Sequence, residues 1–207
     1  MLLTETNGNI PRTEEEKKEM IAKAAFHYGN FLTALGFKWE ADENSKDTPH
    51  RVAKAWIHDL AKGSVSEKPK ITHFPNGGYT GITFQGNIKV VSMCSHHNLA
   101  FTGYAHVAYI PKKKGKVIGL SKLNRIVDWY ARRPQIQEGL TQQIADELGK
   151  LIDNEGIAVV ITCNHTCCSN RGIGHDSTMQ TAVLTGNFFD NIKGTRDEYY
   201  RMIANIK

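Results

Sequence analysis

Residues 157–162 form an uninterrupted run, Ile-Ala-Val-Val-Ile-Thr, that is rich in β-branched side chains. A short run with no polar face predicts a strand buried on both sides of a sheet. Extended patterns also occupy residues 82–93, 103–110 and 178–184, and two helical patterns lie between the second and third strands. The order of elements after residue 70 is therefore strand, strand, helix, helix, strand, strand.

Four strands cannot close into a barrel within one chain, and an open sheet has edges that must be covered. We therefore expect copies of this chain to associate through their strand edges. The front of the chain is predicted to be helical, with a capping box at Thr13 and Glu16 and a second helix that starts with Thr48 as its cap and stops at Gly63. These patterns predict an α+β chain, with a helical region at residues 1–70 and a mixed domain at residues 71–207.

The composition is that of a folded protein, with 40% apolar and 23% charged residues among 207. No apolar run approaches the roughly 20 residues that span a bilayer, and the first residues lack the pattern of a secretory signal, so we expect a cytoplasmic protein without membrane contact. The net charge of +5 suits an anionic substrate. Because no long basic block occurs, nucleic acid is not expected as a partner.

Cysteine and histidine residues cluster in two short segments. Cys94 and His97 have the spacing that lets two side chains bind one metal ion, and three of the four cysteines lie within residues 163–168. In a chain without a secretory signal, such clusters indicate a metal or catalytic site rather than disulfides. If the strand at residue 157 continues, His165 and Cys167 point to one face of the sheet and Cys168 to the other.

The spacing predicts three zinc ligands, Cys94, His97 and Cys167. Three Cys or His ligands with one open position are typical of catalytic zinc, whereas structural sites fill all four positions. His96 and His165 would then lie beside the ion, where a histidine can transfer protons near neutral pH. A closed structural site that also uses Cys168 is the alternative.

A second group of residues suits an anionic, guanine-containing ligand. Lys122 and Arg125 share one face of a helix predicted to be capped by Ser121, and a helix N-terminus with two cations binds phosphate well. Arg171 could bring a third cation close to the metal. Glu138, at the start of the next helix, could accept two N–H bonds from a guanine-type edge. The alternative for Lys122 and Arg125 is a solvated basic helix start. The alternative for Glu138 is a carboxylate that only complements the helix dipole.

Taken together, these residues resemble the GTP cyclohydrolase I family, over roughly residue 48 to the C-terminus. The resemblance implies the tunnelling fold, in which the strand-strand-helix-helix-strand-strand unit joins copies into a barrel, and a homodecamer with active sites at subunit interfaces. The segments that carry it occur in the family's order: TPHRVAK (48–54), CSHH (94–97), VIGLSKLNRIV (117–127), RPQIQE (133–138) with LTQQ (140–143), and HTC (165–167) with RG (171–172).

The resemblance also implies a reaction, in which GTP and water give 7,8-dihydroneopterin triphosphate and formate at the start of folate and pteridine synthesis. It implies zinc on the three ligands above, His165 as the proton donor to the purine imidazole and His96 as a second active-site histidine. The substrate contacts that it implies are Glu138, Gln137 and Leu120 for guanine, and Ser121, Lys122, Arg125, Arg171 and Arg51 for the triphosphate.

One position departs from the family's pattern, because Ser95 stands where a glutamate is usual. A carboxylate close to a metal tunes its ligands, so this change bears on metal affinity or rate. One alternative function is a related enzyme of the same fold with another purine or pterin product. A second is a metal-dependent purine-ring hydrolase that stops early, and a third is a non-catalytic zinc-stabilised scaffold or nucleic-acid module. The nitrile reductases of this fold use a nucleophilic cysteine and lack the Cys-His-Cys set, which argues against them.

Overall fold

The computed structural model describes residues 3–206, which fall into two units, one ending at Glu67 and the other starting at Lys68. The first unit contains helix α1 (Glu14–Ala34). As predicted, Thr13 and Glu16 form a reciprocal capping box: the Glu16 N–H donates to Thr13 Oγ1 over 3.2 Å, and the Thr13 N–H donates to Glu16 Oε2 over 2.8 Å. The chain leaves the helix through Gly36, whose φ of 85° suits glycine.

The second helix of this unit is α2 (Thr48–Ala55), which continues as a π-helical turn (Trp56–Leu60) and the short helix α3 (Lys62–Val65). Two predicted details are wrong. Thr48 is the first helical residue rather than the cap, because its N–H already donates to the Ser45 carbonyl as part of the preceding turn. Gly63 lies buried inside α3 and does not end the helix.

The second unit is built on a five-stranded sheet with the strand order β5-β2-β3-β6-β7. All neighbours are antiparallel except β5, which pairs in parallel with the end of β2. The strands of this sheet are β2 (Thr83–Cys94), β3 (Ala100–Pro111), β5 (Pro134–Gln135), β6 (Asn154–His165) and β7 (Thr178–Leu184). The short strands β1 (His73–Pro75) and β4 (Lys116–Ile118) form a separate ribbon. The predicted α+β class and order of the four long strands are confirmed.

Helices α4 (Leu120–Ala131) and α5 (Gln137–Leu151) supply the helical side of the main core. In α5, Leu140, Ile144 and Leu148 recur every four residues and are fully buried, as the sequence pattern predicts. Burying each such side chain contributes about 1.5–3 kcal/mol. The predicted cap of α4 is wrong: Gly119 holds the cap position, and Ser121 lies exposed in the first turn.

The other cluster of buried residues joins β3 and β6 to the C-terminal helix α7 (Thr195–Ala204). Tyr199 of α7 is fully buried and donates its hydroxyl to the His106 carbonyl over 2.7 Å. Residues 86–87 form a β-bulge within β2, where Asn87 has a φ of 52°. A Cβ at position 86 would meet the side-chain ends of Ile206 and Phe84, which would have to move to make room for it.

His106 makes the stability of this cluster depend on pH. Burial lowers the pKa of His106 from its ordinary value of 6.5, so the unfolded chain takes up this proton at a higher pH than the folded chain does. The neutral ring therefore contributes stability that is complete above about pH 6.5 and is lost as the pH falls through the lower folded pKa.

We expect the free energy of unfolding of metal-free protein to fall between pH 7 and 5, and to fall less in His106→Phe. Phenylalanine keeps the packing against the ring of Phe84, which stacks on His106 with centroids 6.5 Å apart, but it does not titrate. Denaturant titrations at several pH values measure the slope of the free energy of unfolding against pH for each of the two proteins. Equal slopes for the two proteins would contradict the assignment to His106.

Candidate functional site

The turn that follows β2 brings Cys94 and His97 together. The N–H groups of His97 and Asn98 both donate to the Cys94 carbonyl, over 3.3 and 2.8 Å, and the Cys94 N–H donates to the Leu99 carbonyl over 2.9 Å. Asn98 adopts a left-handed conformation, with φ of 54°, which lets the chain reverse into β3. The Cys-x2-His spacing thus lies on a tight hairpin turn rather than on an open loop.

Cys167 reaches the same place by a different route from the one predicted. The strand β6 ends at His165, and residues Thr166–Ser169 form one helical turn, α6, so strand alternation does not set the direction of Cys167. The hydroxyl of Thr166 donates to the Ala100 carbonyl over 2.7 Å and fastens this turn to the start of β3. Because Ala100 pairs with Met93, the turn lies beside the end of β2.

The ligand atoms of Cys94, His97 and Cys167 all lie within 4.8 Å of one another, and this is the only such group of three within residues 3–206. Zinc bonds of about 2.0–2.3 Å place neighbouring ligands roughly 3.5 Å apart, so a small closure of the group would accommodate the ion. Cys94 is buried, Cys167 is half-buried and His97 is exposed. Cys168, the fourth ligand of the closed alternative, is exposed and lies outside the group. These residues could therefore hold a metal and leave one position open.

The thiol of Cys167 is held in its protonated form when no metal is bound. Burial, followed by the hydrogen bond and charge of the neighbouring Cys94 thiol, raises the pKa of Cys167 to about 11. A bound cation favours the thiolate, so metal binding must release a proton from this side chain.

His165 lies next to this group and is held on two sides. Its ring stacks on that of Phe101, with centroids 4.7 Å apart and planes 7° from parallel, and its Nε2 lies 2.9 Å from Gln137 Oε1. Partial burial lowers the pKa of His165, and the charge of Glu138 acts in the opposite direction. Glu138 is therefore near enough to influence this ring, and its carboxylate is exposed.

The remaining residues proposed for this end of the site are exposed. The rings of His96 and His97 are 6.2 Å apart, so His96 stands beside a ligand. Arg171 lies two residues beyond α6. The segment that contains it folds back onto α6, because the His175 N–H donates to the Cys168 carbonyl. Gln137 differs from these, because it is fully buried.

Three of the five residues predicted to bind triphosphate, Ser121, Lys122 and Arg125, lie on α4, which begins at the opposite end of the sheet within one chain. The start of α4 contacts the beginning of β2, where Gln85 donates to Asn124 over 2.5 Å. Cys94 is nine residues further along this strand, and because the bulge between Gln85 and Ile88 takes up one of them, the separation corresponds to roughly 25 Å. Ser121, Lys122, Arg125 and Leu120 all lie in the first half of α4, which begins at this distant end. Arg51 lies in the first unit, where it pairs with Asp47 over 3.2 Å.

One functional residue was missed by the sequence reasoning. Phe101, fully buried at the start of β3, forms the platform for His165. The strand pairing that sets Phe101 opposite His165 joins residues 64 positions apart. The available signal was an aromatic residue shortly after the Cys-x2-His motif, which does not by itself reveal its partner.

An α+β chain with a Cys₂His group, an adjacent histidine and an exposed carboxylate is equipped for metal-assisted chemistry. The family model described as GTP cyclohydrolase I matches residues 24–204. GTP cyclohydrolase 1 of Flavobacterium johnsoniae is 44% identical over 181 residues, covering 86% of this chain and 78% of that protein. That of Vibrio parahaemolyticus is 39% identical over 189 residues, covering 90% and 84%.

The chain therefore belongs to the GTP cyclohydrolase I family, and the predicted family and enzyme class are confirmed. A crystal structure of the archaeosine synthase QueF-Like in the apo form covers 56% of this chain and 95% of that chain at 17% identity, with a TM-score of 0.33, which is too low to bear on the fold. None of the helices within residues 3–206 has the length and apolar character needed to cross a membrane.

Proposed function

We propose that this chain opens the imidazole ring of GTP by hydrolysis and yields 7,8-dihydroneopterin triphosphate and formate, the first step of folate and pteridine synthesis in the cytoplasm. The observation that carries the proposal is the convergence of Cys94, His97 and Cys167 next to a positioned His165, in a chain of this family.

The metal that we propose is zinc. Two thiolates and one imidazole are the ligand types that zinc prefers, and three protein ligands are typical of its catalytic sites. When bound, zinc supplies a water molecule that loses its proton near neutral pH. Ser95, which follows the ligand Cys94 in the sequence, is half-buried and provides no carboxylate beside the metal group.

The protein side chains next to the metal group bind the base and move protons. We assign to His165 the protonation of the imidazole nitrogen next to the carbon under attack, so that negative charge does not build up on the ring. His96 is the second proton-transfer group. Glu138, exposed in the first turn of α5 and close to His165, accepts N–H bonds from the guanine edge. Such contacts orient the base over the open metal position.

The triphosphate is bound by cations from a second copy of the chain. Ser121, Lys122 and Arg125 lie on the half of α4 that packs on the far end of β2 from the metal group of their own chain, so a neighbour must bring its own set, together with the backbone at Leu120. Arg171, on the exposed segment after α6, adds a cation from the chain that holds the metal. Arg51 is proposed as a further phosphate contact.

The sheet offers edges for such an assembly. Within the described residues, β7 forms one edge of the five-stranded sheet, and the two-residue strand β5 covers only Met93 and Cys94 of β2. Unpaired edges of this length favour pairing with another strand. We propose that copies join edge to edge into rings and that two rings form the decamer, with an active site at each interface.

Shared sites predict complementation between two inactive variants. We expect His165→Ala and Lys122→Ala to be nearly inactive alone, because each removes one half of every site. Mixed oligomers, refolded together from equal amounts, should regain about a quarter of the wild-type rate, since a quarter of the interfaces then combine two intact halves. Mixing His165→Ala with Cys167→Ala, which damages the same half, is the control. No recovery in the first mixture would contradict the shared site.

The proposed reaction is tested by incubating the zinc-loaded enzyme with GTP and measuring formate together with the fluorescent pterin that forms after oxidation. Equal amounts of both products support the proposal. Formate without pterin would show that the enzyme stops at a ring-opened product. Zinc-dependent stability without any turnover would favour a non-catalytic module.

A further inference from the structure

The side-chain amide of Gln137 is fully buried where the start of α5 packs on β6 and β7. Its Nε2 lies 3.0 Å from the Ile161 carbonyl, 3.2 Å from the Met179 carbonyl and 3.1 Å from Thr181 Oγ1. The opposite end of the amide, Oε1, faces Nε2 of His165 at 2.9 Å. One buried amide thus connects the two neighbouring strands to the histidine beside the metal group.

The direction of this amide is determined by its partners. Backbone carbonyls can only accept hydrogen bonds, so the end of the side chain that faces Ile161 and Met179 must be the NH₂ group. The reverse orientation would place three carbonyl oxygens together in a buried space, which costs about 1–3 kcal/mol for each unsatisfied group.

The threonine hydroxyls agree with this direction. Thr141 donates its single hydroxyl proton to the Gln137 carbonyl over 2.8 Å, so it can only accept from Thr181, whose oxygen lies 2.6 Å away. Thr181 therefore donates to Thr141 and offers its lone pair to the Gln137 amide. The two amide protons are shared among three acceptors, and the direction of the amide is the same whichever acceptors they choose.

The same reasoning extends to His165. Oε1 of Gln137 has no proton to give, so the 2.9 Å contact requires a proton on Nε2 of His165. The parallel Phe101 ring, stacked at 4.7 Å, keeps the imidazole in this plane. In the neutral ring, Nδ1 is then the nitrogen that has no proton.

We propose that Gln137 is a positioning residue that holds His165 in its Nε2–H tautomer, so that the bare Nδ1 is the nitrogen that takes up a proton from water and passes it to the substrate. The assignment rests on the proposed function for its catalytic consequence, but the tautomer itself is a property of the free enzyme. Gln137 then acts through His165 instead of contacting guanine, since its amide is fully buried and all its polar atoms have protein partners. A histidine that must work through one particular nitrogen depends on such a partner.

The test uses zinc-loaded enzyme labelled with ¹⁵N-histidine, because nitrogen chemical shifts distinguish a protonated ring nitrogen from a bare one. The His165 signals are identified by their loss in His165→Asn. We expect the wild type to show a protonated Nε2 and a bare Nδ1. In Gln137→Met, which keeps the size of the side chain but removes the amide, we expect part or all of the proton to move to Nδ1.

Kinetics provide the second measurement. Gln137→Met should lower kcat about 10–100-fold while KM for GTP stays unchanged, since Gln137 does not contact the substrate. The matched control is Gln142→Met, the same chemical change on the same helix, at an exposed position where the amide bonds only to Asp146 over 2.7 Å. This control should retain the wild-type tautomer and the wild-type rate.

Two results would overturn the inference. One is a wild-type His165 with a bare Nε2, a measurement that needs no variant and so does not depend on the folding of Gln137→Met. The other is a Gln137→Met enzyme that retains both the Nε2–H tautomer and the full kcat. A wild-type enzyme with the expected tautomer but no turnover of GTP would instead count against the proposed function alone.

Discussion

Cys167→Ala should purify with almost no zinc, whereas the wild type should hold about one ion per chain. The substitution leaves Cys94 and His97, and two protein ligands do not retain zinc against a chelator. Zinc per chain is measured by atomic absorption after gel filtration in the presence of a weak chelator. The expected loss of GTP turnover follows from the loss of the metal.

The neighbouring cysteine provides a matched control. Cys168→Ala makes the same chemical change one residue away, at an exposed side chain outside the ligand group, and should retain its zinc. Zinc at the wild-type level in Cys167→Ala would refute the ligand assignment. Loss of zinc in both variants would point to the closed four-ligand site instead.

His165→Ala should separate metal binding from catalysis. We expect zinc content to stay at the wild-type level and pterin formation to fall by about 10²–10⁴-fold, the usual contribution of a positioned proton donor. The ring is not among the ligands, and its removal leaves Phe101 and Gln137 in a small, partly exposed space. Formate and pterin are measured under saturating GTP.

The control for this substitution is His27→Ala, which removes an exposed histidine from α1 and should leave the rate unchanged. Full activity in His165→Ala would remove this residue from the mechanism. Loss of zinc together with activity would show that the ring supports the metal group, and the assignment of a purely catalytic role would then be wrong.

The grouping of Cys94, His97 and Cys167 was predictable from the sequence, because the residue types that bind zinc are few and their clustering is visible in the chain. The strand alternation predicted to direct Cys167 is wrong, however, because β6 ends at His165. The position of Cys167 depends on the helical turn α6 and on the bond from Thr166 to the Ala100 carbonyl, a contact between residues 66 positions apart. Gln137 was predicted to help bind guanine, and only its buried contacts suggest a different role.

The sequence by itself determined the local features of this protein: the capping box at Thr13, the buried face of α5 and the order of the long strands. These depend on residues a few positions apart, whose spacing matches the repeat of a helix or strand. Only the tertiary structure decided that Phe101 and Gln137 hold His165, and that the cations of α4 lie far from the metal group of their own chain. Such contacts join distant segments, so their geometry is set by strand register and packing and leaves no periodic trace in the chain.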